Sequence, residues 1–252
     1  MKYKIIVATA LLTFSTNSIA AGETGQRYTR SADSVVITQE QGWSGSVGVG
    51  ALTTSGNSET TNANADFKAK LEQETYRHNF IGAALFAKND SEKTAEKYLL
   101  GYKIDYKLNS YSYLFADFRA EFDEFSGFDR QTSETVGYGR RVMDSASDTL
   151  DLEAGVGLRQ NKLSTGETEN ETVLRGAVDY LHRFSETSEF HQGLLVLSGE
   201  DNTSIDTVSA IKAHIVGNLA LEAAFKVKHN TAPPADKKET DTTTSLSLVY
   251  GF

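Results

Sequence analysis

The stretch Thr244-Ser-Leu-Ser-Leu-Val-Tyr-Gly-Phe252, at the end of the chain, decides the fold class. Every second residue from Thr244 falls on one face of a strand, and this face carries two leucines, a tyrosine and the final phenylalanine. The other face carries serines, a valine and a glycine. An exposed aromatic residue at such a position is unfavourable in water, whereas the lipid-facing wall of a closed barrel requires this pattern. The stretch therefore predicts one strand of a transmembrane β-barrel.

The same alternation recurs along the chain from Trp43 onward. In the clearest example, Tyr98–Leu108, tyrosines, leucines and an isoleucine at even positions alternate with mostly charged residues at odd positions. A helix would instead place apolar residues every three or four positions. The pattern predicts an all-β, transmembrane, antiparallel up-and-down barrel of about twelve strands over residues 42–252. The strands are predicted at 43–54, 60–73, 76–88, 93–108, 111–124, 131–143, 148–161, 170–184, 187–199, 203–215, 217–229 and 240–252, with the weakest alternation at 76–88 and 187–199.

The composition fits such a barrel. The chain has no cysteine, which excludes a disulfide framework, a thiol nucleophile and a thiolate metal site. Its two prolines, Pro233 and Pro234, are adjacent, and paired strands exclude proline because it lacks the N–H donor. The mean hydropathy of -0.38 is compatible with barrel strands, whose alternating faces average to a polar composition.

The first twenty residues have the features of a secretory signal peptide. A basic start at Met1–Lys4 precedes an apolar run from Ile5 to Phe14 and small residues at Ser18–Ala20. Residues 1–20 are therefore predicted to be removed, and residues 21–41 to form a periplasmic lead-in. The remaining chain is more acidic than the net charge of -9 of the whole, which argues against nucleic-acid binding.

An even number of strands places both ends of the barrel on one side of the membrane. The signal peptide makes that side the periplasm, and the predicted location is the cell outer membrane, in contact with lipid and lipopolysaccharide. Short turns are expected on the periplasmic side and longer polar loops outside, as in outer-membrane barrels. The expected outer loops are 55–60, 87–94, 124–130, 161–169, 199–203 and 230–241.

Four local strings are similar to those of a known family. They are Ser-Gly-Asn-Ser-Glu-Thr at 55–60, Thr-Ala-Glu-Lys-Tyr at 94–98, Phe-Ser-Gly-Phe-Asp at 125–129 and Leu-Asp-Leu-Glu-Ala-Gly-Val-Gly-Leu-Arg at 150–159. In order and spacing they resemble the YdiY-like family, whose members are labelled salt-induced outer-membrane proteins of unknown function. The resemblance covers about Trp43 to Phe252 and implies an outer-membrane barrel, without an established substrate or catalytic residue. It also implies that barrel-assembly machinery reads the terminal strand, in particular Leu248, Tyr250 and Phe252.

The sequence shows no pattern typical of an enzyme. Its five histidines are scattered, without metal-ligand spacing, and no strand is expected to project a hydroxyl and a histidine together from its apolar face. The acidic stretches 121–129 and 167–171 lack the oxygen-ligand spacing of calcium sites. The chain is therefore predicted to have no catalytic residue, metal or cofactor.

The charged residues of the strands are expected to point inward, because each would cost roughly 2–4 kcal/mol in contact with lipid at the midplane. They are Lys68, Lys70, Lys103, Asp105, Lys107, Asp117, Arg119, Glu121, Asp123, Arg141, Asp151, Glu153, Arg159, Arg175, Asp179, Arg183, Glu222, Lys226 and Lys228.

The mixed signs of these charges leave two interpretations of the lumen open. They either bridge one another and plug it, or line a narrow, unselective pore for ions or small solutes. The first function hypothesis is thus a channel or a structural wall protein of the salt or osmotic response. The alternatives are an outer-membrane enzyme or adhesin that acts through its loops, and a secreted soluble β-protein. The oligomeric state is open.

Overall fold

The computed structural model describes residues 41–54, 60–90, 92–123 and 125–252. The predicted signal peptide, and the predicted lead-in except for Gln41, lie outside the described residues. Within them, twelve strands form one closed barrel. The strands are β1 (Gly42–Thr54), β2 (Thr60–Glu72), β3 (Tyr76–Asn89), β4 (Glu92–Lys107), β5 (Ser112–Asp123), β6 (Phe128–Asp144), β7 (Asp148–Leu163), β8 (Thr168–Arg183), β9 (Ser188–Ser198), β10 (Thr203–Val216), β11 (Leu219–Asn230) and β12 (Thr240–Gly251).

Each strand pairs antiparallel with its neighbours in sequence, and β12 pairs with β1 to close the barrel. The predicted fold class and strand number are therefore confirmed, including the two strands with the weakest alternation. Closure gives every strand two neighbours, which a sheet surrounded by lipid requires. We call the end of the barrel with the connections 73–75, 108–111, 145–147, 184–187 and 217–218 the turn end, and the opposite end the loop end.

The terminal strand is the seam at which the barrel closes. Its register with β1 runs from Ser46 opposite Gly251 to Val49 opposite Leu248. Beyond this ladder, the Phe252 N–H donates to the Gly45 carbonyl over 2.9 Å, and the Gly45 N–H donates to the Phe252 carbonyl over 2.8 Å. The Phe252 ring lies against Gly45, where a Cβ atom would be 2.7 Å from its Cζ. Gly45 thus provides the space that the last side chain occupies.

The loop end is less extended than the sequence predicted. The expected loop 87–94 is mostly strand, because β3 and β4 pair as far as Asn89 opposite Glu92. The expected loop 161–169 likewise shrinks, since β7 and β8 pair as far as Lys162 opposite Thr168. Polar residues in these segments continue the hairpin ladders instead of leaving them. Residues 231–239 form the longest connection among the described ones at this end.

The outward wall is apolar and ends in aromatic side chains at the turn end. Trp43 stacks on Phe80 with ring centroids 6.0 Å apart, and Phe80 lies 4.9 Å from Tyr102. Tyr76 and Tyr106 add a further pair, at 5.5 Å. Such girdles are typical of the interface between a barrel and the headgroup layer. Among the described residues, no helix is both long and apolar enough to cross a membrane.

One polar cluster interrupts the outward wall on β9 and β10. The Gln192 side-chain amide donates to the Thr207 hydroxyl over 2.8 Å, and the Ser209 hydroxyl donates to the Gln192 carbonyl oxygen. Thr207 also donates to the Gly193 carbonyl over 2.9 Å. These bonds satisfy the polar groups within the wall. They also explain the poor alternation of β9, whose outward face contains a polar residue.

The charged lumen as the candidate functional site

The charged residues predicted to line the lumen all lie on the inward faces of their strands. Lys68, Lys107, Arg183 and Glu222 are half-buried, and the other predicted residues are buried. The structure divides many of them between two clusters of opposite charges at different depths. One cluster lies toward the turn end and one toward the loop end. The predicted assembly residues Leu248, Tyr250 and Phe252 lie on the outward wall and are exposed.

Glu153 is the centre of the first cluster. Its carboxylate forms an ion pair with Lys103 of β4, and a second with Arg175 of β8 at 2.7 Å. It also accepts a hydrogen bond from the Tyr113 hydroxyl over 2.8 Å. Arg77 pairs with Asp105 at 2.6 Å, and Asp105 lies 3.4 Å from Lys103. We call these six residues, Arg77, Lys103, Asp105, Tyr113, Glu153 and Arg175, the turn-side cluster.

The turn-side cluster is buried within the lumen. The Asp105 and Arg175 side chains are both 0% exposed, so water does not reach them. The Arg175 guanidinium lies 4.4 Å from the centre of the Phe115 ring, and the Arg77 guanidinium lies 4.9 Å from that of Tyr113. These cation–π contacts help to desolvate the cations. The cluster therefore obstructs the lumen along β3, β4, β5, β7 and β8.

Apolar side chains also fill part of the lumen. Val173, Leu195 and Val208 are 0% exposed and point inward from β8, β9 and β10. Val173 and Leu195 pack together with Ala177 and Leu197. β8, β9 and β10 thus add apolar side chains to the lumen beside charged ones such as Arg175 of β8 and Asp206 of β10.

The second cluster joins opposite walls of the barrel. The Lys228 Nζ of β11 donates to Glu121 of β5 over 2.7 Å and to Gln131 of β6 over 3.0 Å. Five strands lie between β5 and β11 in either direction around the barrel, so the two are diametrically opposite. Arg119 lies 3.7 Å from Asp206 of β10 and 3.1 Å from Glu121.

Lys97 completes this arrangement, since its Nζ is 2.8 Å from Glu121. We call Lys97, Arg119, Glu121, Asp206 and Lys228 the loop-side cluster. Because its pairs span the lumen, the walls approach each other here to the combined length of two side chains.

A small cavity lies within the loop-side cluster. Its volume is about 30 Å³, and its lining includes Arg119, Glu121, Ser133, Arg159, Asp206 and Lys228. A cavity of this size holds roughly two water molecules. Arg159 pairs with Glu171 at 2.5 Å and donates to the Asn202 carbonyl. The space between the paired charges is therefore lined by polar groups and is about as large as a small ion.

Sequence reasoning missed several inward charges. Arg77 and Glu189 lie on the two strands with poor alternation, so their facing could not be assigned from the pattern. Lys97 immediately precedes the clearest alternating run, and extending that run by one residue would have found it. Asp206 is 2% exposed. It alternates with Ile205 and Thr207, so the pattern of this strand already indicates that it points inward.

Two histidines project outward beside hydroxyl groups, contrary to the sequence prediction. His78 Nδ1 is 2.9 Å from the Tyr102 hydroxyl, and His182 Nδ1 is 2.8 Å from Asp148 Oδ1. Tyr180 donates to the same Asp148 oxygen over 2.7 Å. These groups lie toward the turn end, among aromatic residues. Their bonds form a polar edge to the aromatic girdle, and neither histidine bonds a serine hydroxyl as a nucleophile would require.

Within the described residues, no group of three or more histidine, aspartate or glutamate side chains is placed to hold a metal ion.

Comparisons with known proteins agree with this architecture. A family model described as "Protein of unknown function, DUF481" matches residues 47–252. The uncharacterized protein YdiY of Escherichia coli (strain K12) is 28% identical over 209 residues, which are 82% of this chain and 82% of that protein. The resemblance inferred from the four local strings is thereby confirmed.

Solved structures of similar fold are outer-membrane barrels. The COG4313 outer membrane channel from Pseudomonas putida F1 has a TM-score of 0.52 at 11% identity, over 87% of this chain and 97% of that one. The NanC porin has a TM-score of 0.47 at 9% identity, over 82% and 97%. At these identities the likeness concerns the fold alone, and the chain has the fold of an outer-membrane barrel.

Proposed function

Since the chain belongs to the DUF481 family, whose description assigns no activity, we propose a function from the lumen itself: a narrow outer-membrane channel for small ions. In the proposed resting state, the paired charges of the lumen close the channel. The turn end faces the periplasm and the loop end faces outward, as the predicted signal peptide requires. The barrel excludes solutes of sugar size.

The observation that supports this function is the pairing of ionised groups across the lumen. A barrel that served only as a wall would be closed equally well by apolar side chains, because a buried ion pair is seldom more stable than apolar packing of equal volume. Here Val173, Leu195 and Val208 fill only part of the lumen. The charged groups beside them can exchange their partners for a passing ion and its water.

The mixed signs favour weak selectivity between cations and anions. Glu121 faces three cations, Lys97, Arg119 and Lys228, while Asp105 faces Arg77 and Lys103. A track of one sign would select the opposite ion. The lumen offers both, at successive depths, so an ion of either sign meets a partner.

A purely structural wall protein is the second candidate. It is favoured by the complete burial of Asp105 and Arg175, which removes both side chains from contact with water. The two candidates differ in whether this cluster can open.

Planar-bilayer conductance distinguishes these two functions. The wild-type barrel is expected to show rare, small openings, and the Glu153→Ala/Arg175→Ala variant to show larger and more frequent ones. This double substitution removes both members of one pair and leaves Lys103 beside Asp105. The matched control is Lys93→Ala/Glu96→Ala, which removes an exposed ion pair of 2.6 Å and is expected to leave conductance unchanged.

The channel proposal makes a second claim, on size. Liposomes that contain the wild-type barrel are expected not to swell in isosmotic sugar. Swelling at the rate of a general porin would contradict the narrow lumen. The absence of conductance from both wild type and the Glu153→Ala/Arg175→Ala variant, with folded barrels, would refute the channel and favour the structural wall.

A further inference from the structure

The connection between β11 and β12 crosses the mouth of the barrel. We call residues 231–239 the strap. It connects β11 and β12, which lie opposite β5 and β6 in the closed barrel. Nevertheless the Lys237 Nζ donates to the Phe125 carbonyl over 2.7 Å, in the connection between β5 and β6. The strap therefore spans the loop end from one wall to the other.

Close packing at Gly127 accompanies this hydrogen bond. A Cβ atom at Gly127 would lie 2.9 Å from Pro234 Cβ, and the glycine has a φ of +84°. Both the conformation and the space thus require glycine here. The far end of the strap is seated in a shallow site that the β5–β6 connection provides. We call Lys237, Pro234, Phe125 and Gly127 the tip contact.

The base of the strap is held more firmly than its tip. The Asn230 N–H donates to the Glu239 carbonyl over 2.8 Å, and the Thr231 N–H donates to the Thr203 carbonyl over 3.0 Å. The Ala232 N–H donates to the Asn202 side-chain oxygen over 3.0 Å. At the tip, the described residues show one hydrogen bond, from the side chain of the exposed Lys237, beside the proline contact. The weakest attachment is therefore the one that closes the mouth.

The strap is also stiff between these attachments. Pro233 and Pro234 restrict the backbone to φ near −65°. The Lys237 N–H donates to the Pro234 carbonyl over 3.1 Å, and Asp236 between them has a φ of 65°. A stiff segment that is fixed at its base and lightly attached at its tip moves as a unit.

We propose that the strap is the outer gate of the lumen, which opens when the tip contact breaks and the strap swings on its base. This inference rests on the proposed channel function. The gate lies directly above the loop-side cluster, since Lys228 of that cluster is on the strand that leads into the strap. An ion that enters from outside would pass the strap first, then the loop-side cluster and then the turn-side cluster.

The test uses a disulfide across the tip contact. No native thiol can compete with it, because the chain has no cysteine. In Phe125→Cys/Lys237→Cys, a bifunctional thiol reagent with a cleavable disulfide spacer is expected to link the two walls through this mouth disulfide, seen as a mobility shift on non-reducing gels of the folded barrel, and the same reagent is applied to the control. The matched control is Ser185→Cys/Ser188→Cys, whose hydroxyls are 2.8 Å apart in a connection at the turn end. Failure of the mouth disulfide to form, while the control disulfide forms, would overturn the position of the strap.

Conductance then tests the gate. Both cysteine pairs are measured in the Glu153→Ala/Arg175→Ala background, in which the inner closure is removed. Reduction of the mouth disulfide is expected to raise conductance severalfold, and reduction of the control disulfide is expected to leave it unchanged. If conductance is high and equal in the oxidised and reduced mouth variant, the strap is not a gate although the channel stands. If the background itself does not conduct, the proposed channel fails and the gate with it.

A second variant avoids any cross-link. Lys237→Met removes the hydrogen bond at the tip and keeps the length of the side chain. Loss of one hydrogen bond is expected to raise the ratio of open to closed mouths roughly fivefold. The fraction of time that the channel is open in the Glu153→Ala/Arg175→Ala background measures this ratio. An unchanged open fraction would contradict the role of the tip contact.

Discussion

Replacement of Glu153 by glutamine should strongly destabilise the barrel, although it changes few atoms. Glu153 forms ion pairs with Lys103 and Arg175, and its side chain is only 5% exposed. Removing one member of a buried pair typically costs about 3–5 kcal/mol, because the remaining charge stays desolvated. Lys103 retains Asp105 at 3.4 Å, and Arg175 retains the Phe115 ring. These contacts place the expected loss at the lower end, about 3 kcal/mol.

The matched control for this prediction is Glu96→Gln. It makes the same substitution in an ion pair with Lys93 of 2.6 Å, whose side chains are 29% and 36% exposed. An exposed pair of this kind contributes little to stability, because solvent screens the two charges. Urea-induced unfolding of both variants in lipid vesicles, followed by circular dichroism, gives the two free energies. Equal losses for Glu153→Gln and Glu96→Gln would show that the turn-side cluster is hydrated, and would refute the closed lumen.

Three further predictions concern the seam and the rim. Gly45→Val should prevent closure of the barrel, because the valine side chain would occupy the space of the Phe252 ring. Its control is Gly176→Ala, which should fold normally because a Cβ atom there meets nothing within 4 Å. Heat-modifiable migration on gels distinguishes a closed barrel from an unclosed one. Deletion of Phe252 should impair assembly in cells, since it removes that ring and two main-chain hydrogen bonds of 2.8 and 2.9 Å; normal amounts of folded barrel in the membrane fraction would contradict this. Asp148→Asn should lower the free energy of unfolding in urea, because its carboxylate accepts bonds from a serine, a tyrosine and a histidine. The exposed Asp144→Asn is its control, and an equal loss there would show that these bonds contribute nothing.

The barrel was predictable because alternation is a local property of each strand. A period of two assigns the two faces without knowledge of the neighbours, and turns between runs set the order. The assignment failed in detail where a strand does not separate polar from apolar residues. On β9 the outward Gln192 and the inward Leu195 and Leu197 cancel the pattern, since the lumen beside it is apolar.

The partners within the lumen were not predictable. Alternation shows that Lys228 and Glu121 both point inward, but 107 residues separate them along the chain. Whether they meet depends on strand register and on how closely opposite walls approach, and neither is encoded in a single strand. The strap is a similar case. Its prolines indicated a connection, whereas its contact with Phe125 depends on the width of the mouth.

The loop-side cluster and the strap connect the same two walls. Lys228 of β11 reaches Glu121 of β5, and Lys237 of the following connection reaches Phe125 immediately beyond β5. Both contacts therefore require the same short distance between opposite sides of the barrel. Any widening that separates β5 from β11 lengthens the two together, so the outer gate and the ion pairs beneath it should open as one. The turn-side cluster joins β4, β7 and β8 instead, which leaves it free to remain closed while the mouth is open.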